Sequence, residues 1–296
     1  MARARLPVVL AGCLLASTAS AAPQASRTVY VSAFDSKNAP VPDLSVADVT
    51  IKEDGKVREV TRVEPAKAPM SIVLMLDDGG LELGAIRQGA GQFVEALQGK
   101  AEFSLVALGA NNVTLVDFTP DPRTLYGALQ KMLPRNSPPT RVLEALVEAT
   151  EKLQQRAALR PAVVIVASEV DDFSSVRPDV VLGTIQKIGA RVYYIGLGGP
   201  KTQGNKPTYA AQRPGDSTED EAVRKNAVLG AAPKNSGGRS EHALQPSGIV
   251  GTMKQFASEL GSQYAVTYTT DTSDAKLSVE TKRKGVKLRA PARVGK

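Results

Sequence analysis

Three uninterrupted apolar runs constrain this chain more than any other feature: SIVLML (71–76), AVVIVAS (162–168) and VYYIGLG (192–198). A strand covered on one face alternates apolar and polar residues; a continuous run of this length belongs to a parallel strand covered by helices on both faces. The intervening segments carry helical spacing. Ile86, Ala90, Phe93 and Leu97 form one stripe, Leu143, Leu146, Val147, Thr150 and Leu153 a second, and Val181, Ile185 and Ile188 a third. FSLVALG and VTLVDF add two strands around Gly109–Asn112, and Asp121-Pro122 opens a short helix through Leu129. Further helices are expected around Glu219–Leu229 and on Met253, Phe256 and Leu260. The expected fold is α/β: a Rossmann-like, doubly wound, mostly parallel sheet over residues 67–262.

The two flanks read differently. In 27–66, Val29, Val31 and Ala33 alternate, and VTIKEDGKVREV carries Asp54-Gly55, a two-residue hairpin signal. In 263–296, Tyr264, Val266 and Tyr268 alternate, then Leu277, Val279 and Thr281, then Val286, Leu288 and Ala290. Neither flank alone has strands enough to be stable. The expectation is one small β domain built from both ends. Residues 199–217, rich in Gly, Pro, Lys, Gln and Asn without apolar period, read as a loop.

Residues 1–22 have the order of a signal peptide: basic MARAR, apolar LPVVLAGCLLA, then small residues STASAA. No later run is long and apolar enough for a transmembrane helix. The expected product is exported, periplasmic or secreted. LAGC at 10–13 resembles a lipoprotein box, so a lipid anchor at Cys13 is the alternative. Cys13 is the only cysteine, which leaves neither disulfide nor thiol chemistry after plain cleavage. Aromatic residues make up 4% of the chain and Trp is absent, which argues against a base-stacking nucleic-acid platform. The net charge of +7 is too mild to point to nucleic acid.

Ligands of open parallel sheets bind beyond the strands' carboxyl ends. Two such ends are acidic here, LMLDDGG and VASEVDD, and they gather Asp77, Asp78, Glu169, Asp171 and Asp172 on one face. Clustered carboxylates repel unless a cation, an arginine or solvent offsets them. Gly79 and Gly80 let the backbone turn sharply out of the strand. The plainer alternative for Asp77 and Asp78 is to cap the helix that follows.

The order of elements resembles a von Willebrand factor type A domain. In that family the first strand ends in D-x-S-x-S, a second loop supplies Thr and a later strand supplies Asp, together holding Mg²⁺. Asp77 matches the first Asp, Thr140 in PPTRVLEAL the loop Thr, and Glu169 stands where the family has Asp. SAFDSKNAPVPDLSVADVTIKEDGKVREV before the domain and GSQYAVTYTT after it resemble a bacterial exported subgroup. The metal motif is broken. Gly79 and Leu81 occupy the two Ser positions, and Glu169 is longer than Asp. Magnesium demands near-octahedral oxygen coordination at short range. The resemblance therefore implies a vestigial site at Asp77, Thr140 and Glu169 with no resident cofactor, Arg141 being placed to neutralise the carboxylates instead. It implies a non-catalytic module binding a protein or cell-surface ligand through Asp77–Gly80, Thr140-Arg141 and Glu169–Asp172. The alternatives are weak Mg²⁺-dependent adhesion or a metal-assisted hydrolase.

Other motifs carry less. IGLGGPKT lacks the glycines of a phosphate loop. His242, the only histidine, has no G-x-S-x-G elbow for a triad and no companions for zinc. The basic KRKGVKLRAPARVGK reads as the solvated side of a strand.

Overall fold

The computed structural model describes residues 25–77, 82–134, 140–168, 173–197 and 218–295. The leader over 1–22 and the loop over 199–217 lie outside these residues. In chain order, β1 (Ala25–Phe34), β2 (Val49–Glu53), β3 (Lys56–Arg58) and β4 (Val60–Pro65) come first. Then follow β5 (Met70–Asp77), α1 (Leu83–Ala96), β6 (Ala101–Leu108), β7 (Val113–Thr119), α2 (Pro122–Lys131) and α3 (Val142–Gln155). After these come β8 (Arg160–Ser168), α4 (Pro178–Ile188), β9 (Arg191–Leu197), α5 (Thr218–Ser236), β10 (Arg239–Ala243) and α6 (Pro246–Gly261). The chain closes with β11 (Tyr264–Thr270), β12 (Ala275–Thr281), β13 (Lys287–Arg289) and β14 (Arg293–Val294).

The three apolar runs are β5, β8 and β9, neighbours in a six-stranded sheet of order β10-β9-β8-β5-β6-β7. All pairings are parallel except that of the edge strand β7. Every residue of β5 and β9 is buried. Period-two alternation sends the strand side chains to two cores. Ile72, Leu74 and Leu76 join Ile86, Phe93, Leu125 and Phe256 from α1, α2 and α6. Val73 and Met75 join Leu143, Leu146, Ile185 and Val228 from α3, α4 and α5. The sheet is doubly wound, and the strand order reverses between β5 and β8, where such folds open a crevice.

Strands from both chain ends pair with one another. One sheet runs β13-β1-β11-β4 and a second β14-β12-β2-β3. They enclose a core of Val29, Val31, Ile51, Tyr264, Val266, Tyr268 and Leu277. The arrangement is a sandwich of two four-stranded sheets. Asp54 and Gly55 both have positive φ, +47° and +83°, as the tight hairpin between β2 and β3 requires.

Asp121 is the N-cap of α2. Its carboxylate accepts from the N–H groups of Arg123 (3.1 Å) and Thr124 (3.2 Å), and Pro122 takes the first helical position, where no N–H is needed. Asp121→Ala is expected to lower stability by about 1 kcal/mol in urea denaturation.

Candidate functional site

The carboxyl ends of the parallel strands finish level. Asp77 pairs with Leu108 across β5 and β6, and Ser168 with Leu197 across β8 and β9. Asp77 has the parity of Val73 and Met75, so the alternation assigns it to the α3 side of the sheet. Thr140 stands two residues ahead of α3. Both residues are only 2% exposed. The resemblance aligned these two with cation ligands, and the fold places them at the same rim, at the point where the strand order reverses.

A strap fixes that rim. The Thr140 carbonyl accepts from the Phe173 N–H at 2.9 Å, and the Ser174 hydroxyl accepts from the Leu143 N–H at 3.0 Å. Glu144, in the first turn of α3, accepts from the Ser175 N–H at 2.6 Å. Burial pushes the Glu144 carboxyl up, but the Ser174 hydroxyl and the Ser175 amide outweigh it and hold it below its ordinary value. The segment after β8 is therefore tied to the N-terminus of α3 by backbone and side chain together. Glu144 lies within PPTRVLEAL and has no role in the sequence expectation. Its signal was its place: a carboxylate in a helix's first turn, with Ser174 and Ser175 following an acidic strand end.

Thr140 Oγ1 is buried without a hydrogen-bond partner among the described residues. A hydroxyl in that state costs about 1–3 kcal/mol, so its retention needs a reason. Arg141 is exposed and makes no ion pair among the described residues; its carbonyl accepts from Asn112 Nδ2 at 2.9 Å. Asp78, Gly79, Gly80, Glu169, Asp171 and Asp172 lie outside the described residues. The N-cap of α1 is Glu82, without a side-chain cap bond, and Asp77 is the last residue of its strand.

Among the described residues of the rim, Asp77 and Thr140 offer one carboxylate and one hydroxyl toward the six oxygens magnesium takes. No group of three or more His, Cys, Asp or Glu residues among the described residues is placed to hold a metal. His242 is exposed on β10, with its ring edge-on to Tyr194 at 6.3 Å. No helix among the described residues is long and apolar enough to cross a membrane.

No family profile and no curated protein matches this sequence. Solved structures similar to it include a von Willebrand factor type A protein from Catenulispora acidiphila, at 8% identity over 92% of this chain and 74% of that one, with a TM-score of 0.49. Another is the conserved hypothetical protein BatB from Bacteroides thetaiotaomicron, at 14% identity over 65% and 100% of the two chains, with a TM-score of 0.47. A third is proximal thread matrix protein 1 from the mussel byssus, at 14% identity over 67% and 50%, with a TM-score of 0.48. This chain spans half the length of that mussel protein. Von Willebrand A-type proteins are thus among the solved structures this chain resembles.

Proposed function

We propose that this chain is an exported, non-catalytic binding module of von Willebrand A type that engages a protein or cell-surface ligand through the rim at Asp77, Thr140 and Arg141, without a tightly held metal ion. The observation that carries the reading is Thr140 Oγ1, buried and without a hydrogen-bond partner among the described residues, at the topological switch point of the sheet. A hydroxyl kept there at a cost to stability is placed to meet a group that arrives from outside. Leu244, 73% exposed directly beyond the end of β10, adds an apolar contact on the same rim. No nucleophile–base pair is present among the described residues of the rim, so the proposal is recognition and not turnover.

Thr140→Val separates stability from recognition. The swap keeps shape and removes the stranded hydroxyl. Folding stability is expected to hold or to rise by about 1 kcal/mol, while partner retention falls. The experiment compares proteins captured from the native envelope fraction by the wild type, Thr140→Val and Asp77→Asn. A partner held by the wild type and lost from both variants supports the reading; identical capture by all three sinks it. Calorimetry with Mg²⁺, Mn²⁺ and Ca²⁺ decides the metal question. Tight uptake that Asp77→Asn abolishes would restore the adhesion-type alternative.

A further inference from the structure

At the opposite, amino-terminal end of the parallel sheet, a cleft of about 330 Å³ opens between the sheet and the sandwich. Four arginines line it: Arg27, Arg160, Arg191 and Arg293. Two of them have carboxylate partners, Arg27 with Glu53 at 2.9 Å and Arg293 with Asp274 at 3.0 Å. Arg160 and Arg191, which open β8 and β9, are 6% and 5% exposed and have no carboxylate within ion-pair distance among the described residues. Glu259, the acidic group acting on Arg191, pairs through Oε2 with Arg289 at 2.8 Å, so one carboxylate faces two guanidiniums.

Neutral acceptors serve the two guanidiniums. Arg160 donates to the carbonyls of Ala68 (3.0 Å) and Leu260 (2.9 Å) and to Gln263 Oε1 (2.8 Å), and lies 5.0 Å from the Tyr30 ring centroid. Arg191 donates to the carbonyls of Gly237 and Tyr30. Carbonyl dipoles satisfy geometry but leave the net charge in place, and a buried charge without a counter-charge is expensive. Arg160 Nε is buried without an acceptor among the described residues. The adjacent Gln263 amide has only one long bond from Nε2, to Ser32 Oγ at 3.4 Å. Burial depresses the proton affinity of both guanidiniums, and in Arg160 the neighbouring Arg191 charge adds to the effect. Beside this cationic floor, Met70, Leu159, Leu260 and Pro291 form apolar wall.

We propose that this cleft is a binding site for a small organic anion, a carboxylate on a short aliphatic body, whose charge offsets Arg160 and Arg191 while its chain lies along the apolar wall. The carboxylate would sit against Arg160 and Gln263, which both line the cleft and are already joined side by side. The proposal is independent of the rim reading, since the two sites lie at opposite ends of the sheet.

Pentanoate is the probe, with pentanol and inorganic phosphate at matched ionic strength as controls, followed by saturation-transfer NMR on the full chain. Leu159 is 67% exposed and lines the cleft, so Leu159→Trp fills the entrance with little risk to folding. Arg160→Lys keeps the charge and removes the Nε donor. The expected result is millimolar binding of pentanoate, weakened about tenfold or more in Leu159→Trp and for pentanol. Arg160→Lys should weaken it less. No pentanoate binding, equal binding of pentanol, phosphate binding alone, or an unchanged Leu159→Trp each overturn the proposal.

Discussion

Replacing Glu53 by Ala is expected to cost about 3–5 kcal/mol of folding stability, the range for removing one partner of a buried ion pair. Glu53 ends β2 facing into the sandwich, and its side chain is fully buried. Both oxygens are saturated. Oε1 accepts from Arg27 at 2.9 Å and from the Tyr268 hydroxyl at 2.8 Å. Oε2 accepts from Thr270 at 2.7 Å and Thr272 at 3.2 Å, and Arg58 Nε lies 3.0 Å away. One carboxylate thus joins β1, β3 and β11, drawn from both chain ends. Truncation takes the shared carboxylate from two guanidiniums and three hydroxyls at once, leaving Arg58 only Asp271 and Arg27 only the carbonyls of Thr272 and Ser273.

The same carboxylate sets an acid limit. Burial pushes its pKa up, but the hydroxyls of Thr270, Tyr268 and Thr272, together with Arg27, outweigh burial and hold it below the ordinary value. A depressed folded-state pKa means stability that is fully present above the unfolded value, about 4.3 for Glu, and is lost as pH falls through the folded one. Urea denaturation followed by tyrosine fluorescence, suitable for a chain with seven Tyr and no Trp, should show wild-type stability falling below about pH 4. Glu53→Gln should be weaker at neutral pH and flatter on acidification. An unchanged pH slope in Glu53→Gln would remove Glu53 as the group responsible.

The sequence made the apolar skeleton legible and hid the buried charges. SIVLML, AVVIVAS and VYYIGLG become β5, β8 and β9 because an unbroken apolar run has few other places to go. Tyr264, Val266 and Tyr268 fall on the buried side of β11 for the same period-two reason. Glu53 was passed over because Asp54-Gly55 beside it dominates the local pattern as a turn. Yet Val49, Ile51 and Glu53 share the inward parity of β2, and a carboxylate at an inward position asks for cations nearby. Arg160 and Arg191 escaped notice because a charge at the head of an apolar strand ordinarily points to solvent. Here the sandwich covers those strand ends. Only the tertiary pairing of distant segments reveals that, and periodicity carries no trace of it. At the rim, the strand-end position of Asp77 and the pre-helix position of Thr140 were legible. The missing hydrogen bond of Thr140 Oγ1 among the described residues was not, since satisfaction depends on tertiary neighbours that no local pattern encodes.

Gly238→Ala is expected to destabilise the protein by about 3–5 kcal/mol, among the largest effects a single methyl group produces. Gly238 lies between α5 and β10, where β10 pairs alongside β9. A Cβ there would lie 1.9 Å from the Val192 carbonyl oxygen and 2.8 Å from its carbon. Both obstacles are backbone of a central strand, so no side-chain rotation relieves the clash. The seam is tight on its other side as well. A Cβ on Gly237 would lie 2.4 Å from the carbonyl carbon of Ala290, and Ala292 N–H donates to Asn235 at 2.8 Å. Displacing Gly238 would therefore push β9 and the sandwich apart together, along with the Arg191 bond to Gly237. Gly99→Ala supplies the control. Gly99 has φ +74° but nothing within 4 Å of its would-be Cβ, so it isolates conformational strain, worth about 1–2 kcal/mol. Thermal and urea denaturation of the two variants separate the effects. If crowding at the seam is what Gly238 exists to avoid, its variant must fall well below that of Gly99; equal losses would mean that β9 and the sandwich can yield, and that the two units are joined less rigidly than their shared hydrogen bonds imply.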